Sequence, residues 1–193
     1  PNVFYGRGNA YYNLGQIDKA YSDLNQAVTF GDKHPETYFH RGQINFEKDE
    51  FELALSDFNK AEEYGSKAEE LYFLRAKTHY ELNNWKDALE DFNLAIAADK
   101  ELYEAFALRG NTKFRLDDLS GAINDYNIAI AGGIKEAIYF NNRGKAKQLS
   151  GNIEQAIEDY DEAISTDSEY ARAYENRASA RYEMKNYAGV IED

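Results

Sequence analysis

Small and bulky apolar residues recur along this chain with a period of 34 residues. One position holds only glycine or alanine: Gly8, Gly42, Ala76, Gly110, Gly144 and Ala178. A second holds Ala20, Ala54, Ala88, Ala122, Ala156 and then Val190. The position four residues later is bulky: Leu24, Phe58, Phe92, Tyr126 and Tyr160. The complete copies are residues 1–34, 35–68, 69–102, 103–136 and 137–170, and a partial copy follows at 171–193. Such a repeat predicts one solenoid domain over residues 1–193.

Within each copy the apolar spacing is helical. In the first copy it places Ile17, Ala20, Tyr21, Leu24, Ala27 and Val28 on one face of a helix. The preceding stretch, residues 3–14, predicts another helix, and the two are separated by a break that recurs at Gly15, Asp49, Asn83, Asp117 and Gly151. The second helix is predicted to end at a left-handed glycine in three copies, at Gly31, Gly65 and Gly133. We therefore expect an all-α fold of antiparallel pairs, an A helix followed by a B helix.

Two charged positions recur in all six copies. The first holds Arg7, Arg41, Arg75, Arg109, Arg143 and Arg177, and the second holds Asp23, Asp57, Asp91, Asp125, Asp159 and Asp193. In an antiparallel hairpin these positions lie at the same height. The arginines are either a ladder of anion-binding groups or one half of a repeated bridge between the A and B helices. We favour the bridge, because a ligand would not require a matched carboxylate in every copy.

The composition excludes several classes of function. The chain of 193 residues has 22 basic and 35 acidic side chains, a net charge of −13, which disfavours nucleic acid as a partner. The absence of cysteine excludes disulfides, thiolate catalysis and cysteine-based metal sites. The histidines lack metal-binding spacing, and no nucleotide-binding or hydrolase motif is present. We expect no enzymatic activity, no cofactor and no metal.

Three segments carry a family resemblance: RGNAYYNLGQIDKAYSDLNQA, RGNTKFRLDDLSGAINDYNIA and RGKAKQLSGNIEQAIEDYDEA. They resemble the tetratricopeptide repeat (TPR), and the resemblance covers essentially the whole chain. It implies an α-α superhelix with A helices on the concave side and B helices on the convex side. It also implies a non-enzymatic scaffold that binds an extended peptide or partner segment in the concave groove. The proline usual near the repeat end is missing, and the tyrosine usual three residues after the small position occurs only as Tyr11.

On this resemblance, amides, aromatic rings and cations of the A helices line the groove. The candidate peptide-binding residues are Asn9, Phe39, Gln43, Phe73, Lys77, Asn111, Asn141, Asn142, Lys145, Arg172 and Asn176. The six amides among them have no evident packing role and can hydrogen-bond a peptide backbone. The groove charge is uneven, since acidic residues prevail from the second to the fourth copy and cations appear from the fourth to the sixth. A partner would then place its basic part toward the first half.

A five-residue carboxylate clamp of some TPR proteins is poorly matched here. In the last three copies its positions hold Ala107, Asn111, Asn142, Arg172 and Asn176, so two asparagines and one cation agree. The recurring rings Tyr12, Phe46, Tyr80, Phe114 and Tyr182 are expected to pack between neighbouring A helices.

Other functions stay open on the sequence. The chain starts without methionine and stops inside a predicted helix, so we expect a fragment of a longer protein, and it could be a regulatory or targeting module of a larger enzyme. It could also self-associate through its last hairpin. No apolar run of membrane-spanning length and no signal peptide is present, so we expect no membrane insertion. The compartment is not determined, with the cytoplasm favoured.

Overall fold

Twelve helices and no strand are found in residues 2–193, the part of the chain that the computed structural model describes. The A helices are α1 (Asn2–Asn13), α3 (Pro35–Glu47), α5 (Leu71–Glu81), α7 (Tyr103–Arg115), α9 (Ala137–Leu149) and α11 (Ala171–Glu183). The B helices are α2 (Ile17–Thr29), α4 (Phe51–Glu63), α6 (Trp85–Ala98), α8 (Leu119–Ala131), α10 (Ile153–Thr166) and α12 (Tyr187–Glu192). The predicted all-α architecture is confirmed. The first predicted copy begins at Pro1, which lies outside the described residues.

The helices form two compact units. Helices α1–α6 belong to a unit that ends at Ala98, and α7–α12 belong to a unit that comprises Asp99–Asp193. Each unit therefore contains three A–B hairpins. The sequence-based expectation of one solenoid domain stays a prediction.

Within each unit the two kinds of helix have different neighbours. Each A helix packs against its own B helix, and the A helices of successive hairpins also contact one another. Each B helix that is followed by another hairpin of its unit contacts the next A helix, whereas no two B helices of the same unit are in contact among the described residues. The A helices are therefore the inner layer of each unit. We call the side of the A helices that faces away from the B helices the inner face.

The turn between the A and B helices has the same backbone conformation in every hairpin. One residue of each turn has a positive φ, between 58° and 84°, and these residues are Gly15, Asp49, Asn83, Asp117, Gly151 and Lys185. Glycine, asparagine and aspartate tolerate this region best. The predicted left-handed glycines Gly31, Gly65 and Gly133 are confirmed, with φ of 76°, 82° and 103°.

The glycines of the small position allow the paired helices to approach closely. A Cβ atom on Gly42 would lie 2.8 Å from the ring of Phe58, and one on Gly110 would lie 2.8 Å from the ring of Tyr126. Both rings are fully buried. In these two hairpins, the glycine of the A helix leaves space that a large ring of the B helix fills.

Candidate functional site: the inner faces of the A helices

The recurring arginines bridge the A and B helices of every hairpin. Arg75 is typical, since its Nε and Nη2 atoms donate to the two carboxylate oxygens of Asp91 at 2.7 and 2.8 Å. Each arginine is bonded to the aspartate sixteen residues later, and the pairs are Arg7–Asp23, Arg41–Asp57, Arg75–Asp91, Arg109–Asp125, Arg143–Asp159 and Arg177–Asp193. The predicted structural bridge is confirmed. These guanidinium groups are occupied, which leaves no ladder of free anion-binding arginines.

The same arginines also join neighbouring hairpins. Arg41 donates to Asn25 on the preceding B helix at 3.0 Å, and Arg143 donates to Asn127 in the same way at 2.8 Å. Each guanidinium also lies 5.2–5.8 Å from the centre of an aromatic ring three residues earlier on its own helix: Phe4, Tyr38, Tyr72, Phe106, Phe140 and Tyr174. One side chain thus connects two hairpins.

The aspartates differ in how many cations they receive. Lys113 pairs with Asp125 at 2.9 Å and Lys147 pairs with Asp159 at 2.8 Å, so each of these carboxylates has two cations. The equivalent residue of the second copy is Asn45, which donates to Asp57 but has a buried Oδ1 atom with no hydrogen-bond partner. Burial outweighs the bonds from Arg41 and Asn45 and raises the pKa of Asp57.

We expect Asn45→Lys to stabilise the protein at pH 7 by about 1 kcal/mol, since a pKa change of one unit corresponds to about 1.4 kcal/mol. The lysine would supply the second cation and remove the unpaired amide oxygen. Because burial raises the pKa of Asp57 in the folded state, its charge costs stability at pH 7, and the added lysine should offset that cost. This part of the gain should shrink as the pH falls and Asp57 becomes protonated. Thermal denaturation at pH 7 and at a pH below the ordinary Asp57 pKa of 3.8 measures the gain, and an equal gain at the two pH values would contradict this prediction.

A chain of side-chain amides crosses the inner face of the second unit. Asn176 on α11 donates to Asn141 on α9 at 2.8 Å, and Asn141 donates to its neighbour Asn142 at 3.3 Å. Asn142 donates to Asn111 on α7 at 3.0 Å, and the hydroxyl of Tyr126 donates to the same Asn111 oxygen at 2.8 Å. We call Asn111, Asn141, Asn142 and Asn176 the amide chain. Its bonds connect three successive A helices.

All bonds of the amide chain run in one direction. At one end of the chain, the NH₂ group of Asn111 donates to no other member. At the other end, the amide oxygen of Asn176 accepts from no other member. We expected no packing role for these amides, and the structure corrects this for Asn141, which is 1% exposed and is held by its neighbours. Asn111, Asn142 and Asn176 are only partly buried.

Gln148 makes two polar contacts that the sequence pattern did not predict. Its Oε1 atom accepts from the hydroxyl of Tyr160 at 2.8 Å, and its Nε2 atom donates to Glu183 on α11 at 2.5 Å. Burial raises the pKa of Tyr160, and Asp159 and Glu183 raise it further. The available signal was a break in the pattern, because Gln148 occupies the position that is aromatic in the other copies.

The recurring aromatic rings at that position mostly face the start of the following B helix. Phe46 lies edge-on to Phe51 with ring centres 5.5 Å apart, and Tyr80 meets Trp85 in the same way at 5.0 Å. Tyr182 and Tyr187 repeat the contact at 5.7 Å. We expected these rings to pack between neighbouring A helices, whereas these three ring contacts cross the A–B turn of one hairpin.

In the first unit the inner face is built from Asn9, Tyr12 and His40. The Nδ1 atom of His40 and the Oδ1 atom of Asn9 are 2.8 Å apart, and the ring of Tyr12 stacks on the imidazole with centres 4.3 Å apart. Burial lowers the pKa of His40, although Glu36 opposes the shift. Burial also raises the pKa of Tyr12, and the carboxylates of Glu47 and Glu70 raise it further. Charges from α3 and from the start of α5 thus act on one ring of α1.

The other candidates of the first unit divide into core and surface. Phe39 and Phe73 are 7% and 8% exposed and lie against Phe58 and Phe92, so their rings pack between the A and B helices of their hairpins. The ammonium group of Lys77 lies 5.7 Å from the ring centre of Phe46 and 5.2 Å from that of Phe73. Gln43 is partly buried, and its Oε1 atom is buried without a hydrogen-bond partner.

Two cations accompany the amide chain in the second unit. Lys145 is partly buried on α9, three residues after Asn142, which places both on one side of the helix. Arg172 is exposed at the start of α11 and lines an open cavity of about 550 Å³ together with Ile138, Asp167 and Glu175. No cluster of three or more histidine, aspartate or glutamate side chains suited to a metal ion occurs in residues 2–193.

Comparison with known proteins identifies the family. A model described as "Tetratricopeptide repeat" matches residues 5–69, and one described as "TPR repeat" matches residues 144–185. The chain belongs to the tetratricopeptide repeat family. TPR proteins are generally protein-interaction modules that bind protein or peptide partners, and the fold is typically a non-enzymatic scaffold. No curated protein matches the sequence.

Several solved structures share the fold. YrrB, described as a TPR protein with an unusual peptide-binding site, has a TM-score of 0.80 at 20% identity, with 88% of both chains covered. MamA has a TM-score of 0.75 at 16% identity, with 89% of this chain and 93% of MamA covered. A TPR protein from Parabacteroides merdae has a TM-score of 0.74 at 19% identity and covers 99% of this chain and 76% of its own. Among the described helices, none has the length and apolar character needed to cross a membrane.

Proposed function

We propose that this TPR chain is a non-enzymatic scaffold whose inner faces each bind an extended peptide segment of a partner protein. The amide chain of the second unit is the main support. It presents amide groups from three successive A helices, and an extended peptide needs both donors and acceptors along its length. Lys145 and Arg172 would hold an acidic group of the peptide on the same surface. YrrB, a structural neighbour, is described as having a peptide-binding site.

A selection from a random peptide library tests this proposal. We expect the native chain to enrich peptides, and we expect Asn142→Ala with Lys145→Ala to weaken a subset of them about tenfold or more. One lost neutral hydrogen bond is worth about 0.5–1.5 kcal/mol and one to a charged group about 1.5–3 kcal/mol. Fluorescence anisotropy of each enriched peptide gives the change in Kd.

The control removes the same chemical groups from other surfaces. Gln155 is exposed on the B helix α10 and Lys135 is exposed before α9. Gln155→Ala with Lys135→Ala should change the Kd of every enriched peptide less than about twofold, because surface substitutions away from a binding site have small effects. Absence of enriched peptides, or equal losses in the two double variants, would overturn the proposal.

Self-association through the last hairpin is a second proposal. Tyr182, Met184, Tyr187 and Ile191 are large exposed side chains of α11 and α12 and the turn between them. An apolar surface of this kind suits contact with another protein chain.

A further inference from the structure

Three exposed carboxylates of the first unit lie on or next to its A helices. Glu36 and Glu47 lie near the two ends of α3, eleven residues apart and so on one side of the helix, and Glu70 is the residue that precedes α5. We call Tyr12, Glu36, His40, Gln43, Glu47, Glu70 and Lys77 the acidic inner surface.

Two of these carboxylates act on one side chain. Glu47 and Glu70, from different hairpins, both raise the pKa of Tyr12, and Glu36 opposes the lowering of the pKa of His40, on which the Tyr12 ring is stacked. Burial lowers the pKa of His40, which favours the neutral imidazole over a cation beside these carboxylates. The one lysine of this surface, Lys77, lies over Phe46 and Phe73.

A second feature is the unsatisfied oxygen of Gln43. Its Oε1 atom is buried and accepts no hydrogen bond, which is costly for a polar atom. Gln43 follows His40 by three residues on α3, so it lies on the same side of that helix. The rest of the Gln43 side chain is only partly buried, so a donor brought by a ligand would satisfy this oxygen once the amide turns outward. Lysine and arginine side chains supply such donors together with positive charge.

We propose that the acidic inner surface binds a lysine- or arginine-containing segment of the partner peptide. The cation pairs with Glu47 and Glu70 beside the ring of Tyr12, and an N–H group of the segment donates to Gln43. The carboxylates are exposed, so they also attract the segment over a distance, and binding falls with rising salt. This inference rests on the proposed function and specifies the partner chemistry for the first unit.

The peptide selection described above also tests this inference. We expect the enriched peptides to contain more lysine and arginine than the starting library. Glu47→Gln with Glu70→Gln keeps the shape of both side chains and removes two charges, and it should weaken the basic peptides about tenfold or more, as expected for one or two lost charge-assisted contacts.

The matched control removes two charges from the B helices. Glu52 on α4 and Glu90 on α6 are exposed, and Glu52→Gln with Glu90→Gln removes the same number of negative charges. It should change the Kd less than about twofold, as for other surface substitutions away from a site. Enriched peptides without a basic bias, or equal losses in both variants, would overturn this inference and leave the proposed function intact. Absence of any enriched peptide would instead overturn the proposed function.

Discussion

Replacing Arg75 with alanine is expected to lower the free energy of unfolding by about 3–5 kcal/mol, the usual cost of removing one partner from a buried ion pair. The Arg75 side chain is 9% exposed and that of Asp91 is 7% exposed. Arg75 also donates to Glu62 at 2.5 Å and to Asn59 at 3.1 Å on the preceding B helix. Burial opposes its charge, but the bonds to Asp91 and Glu62 prevail and raise its pKa. The substitution therefore breaks the bridge within one hairpin and the link to its neighbour.

Urea denaturation followed by far-UV circular dichroism measures this loss. The control is Arg7→Ala, because the Arg7 side chain is 52% exposed and pairs with Asp23 in its own hairpin. Its loss should be smaller than that of Arg75→Ala, because half of the Arg7 side chain is already in water, although the Asp23 side chain is 6% exposed. Equal losses for the two variants would show that the link between hairpins adds nothing to the bridge.

Replacing Tyr126 with alanine is expected to cost about 3–5 kcal/mol, as for other large rings removed from a core. The ring is fully buried and fills the space left by Gly110. Tyr126→Phe keeps the ring and removes only the hydroxyl that donates to Asn111. It should cost about 1 kcal/mol, the net value of a typical hydrogen bond.

Thermal and urea denaturation of both variants separates packing from hydrogen bonding. A loss from Tyr126→Phe as large as that from Tyr126→Ala would mean that the amide chain, rather than the filled space at Gly110, stabilises this hairpin.

The sequence predicted the regular parts of the structure because they are repeated. The B helices begin at Ile17, Phe51, Trp85, Leu119, Ile153 and Tyr187, each 34 residues after the last. The bridge between Arg75 and Asp91 was also predicted, because an antiparallel hairpin places these two positions at the same height. A feature that occurs six times at one spacing can be separated from chance without knowledge of the contacts.

The parts that differ between copies could not be predicted in the same way. The amide chain depends on which neighbours Asn141 meets across α7 and α11, and the period does not report these contacts. Gln148 was missed because it breaks the aromatic pattern. The burial of Phe39 and Phe73 was missed because groove positions were assigned from the resemblance, which does not specify how far a ring turns toward the B helix.

A photo-crosslinking measurement tests most directly whether partner peptides bind on the inner face. Because the chain has no cysteine, an introduced cysteine is the only thiol that can be labelled. Leu149 is exposed on α9 and follows Lys145 by four residues, so Leu149→Cys places a unique thiol on the same side of the helix without removing Lys145. Gln155→Cys places a thiol on the exposed side of α10. Each variant is labelled with a thiol-reactive benzophenone and illuminated with the peptides that Asn142→Ala with Lys145→Ala weakens. We predict crosslinks from position 149 and none above background from position 155. Equal crosslinking from both positions, or crosslinking from position 155 alone, would contradict peptide binding on the inner face.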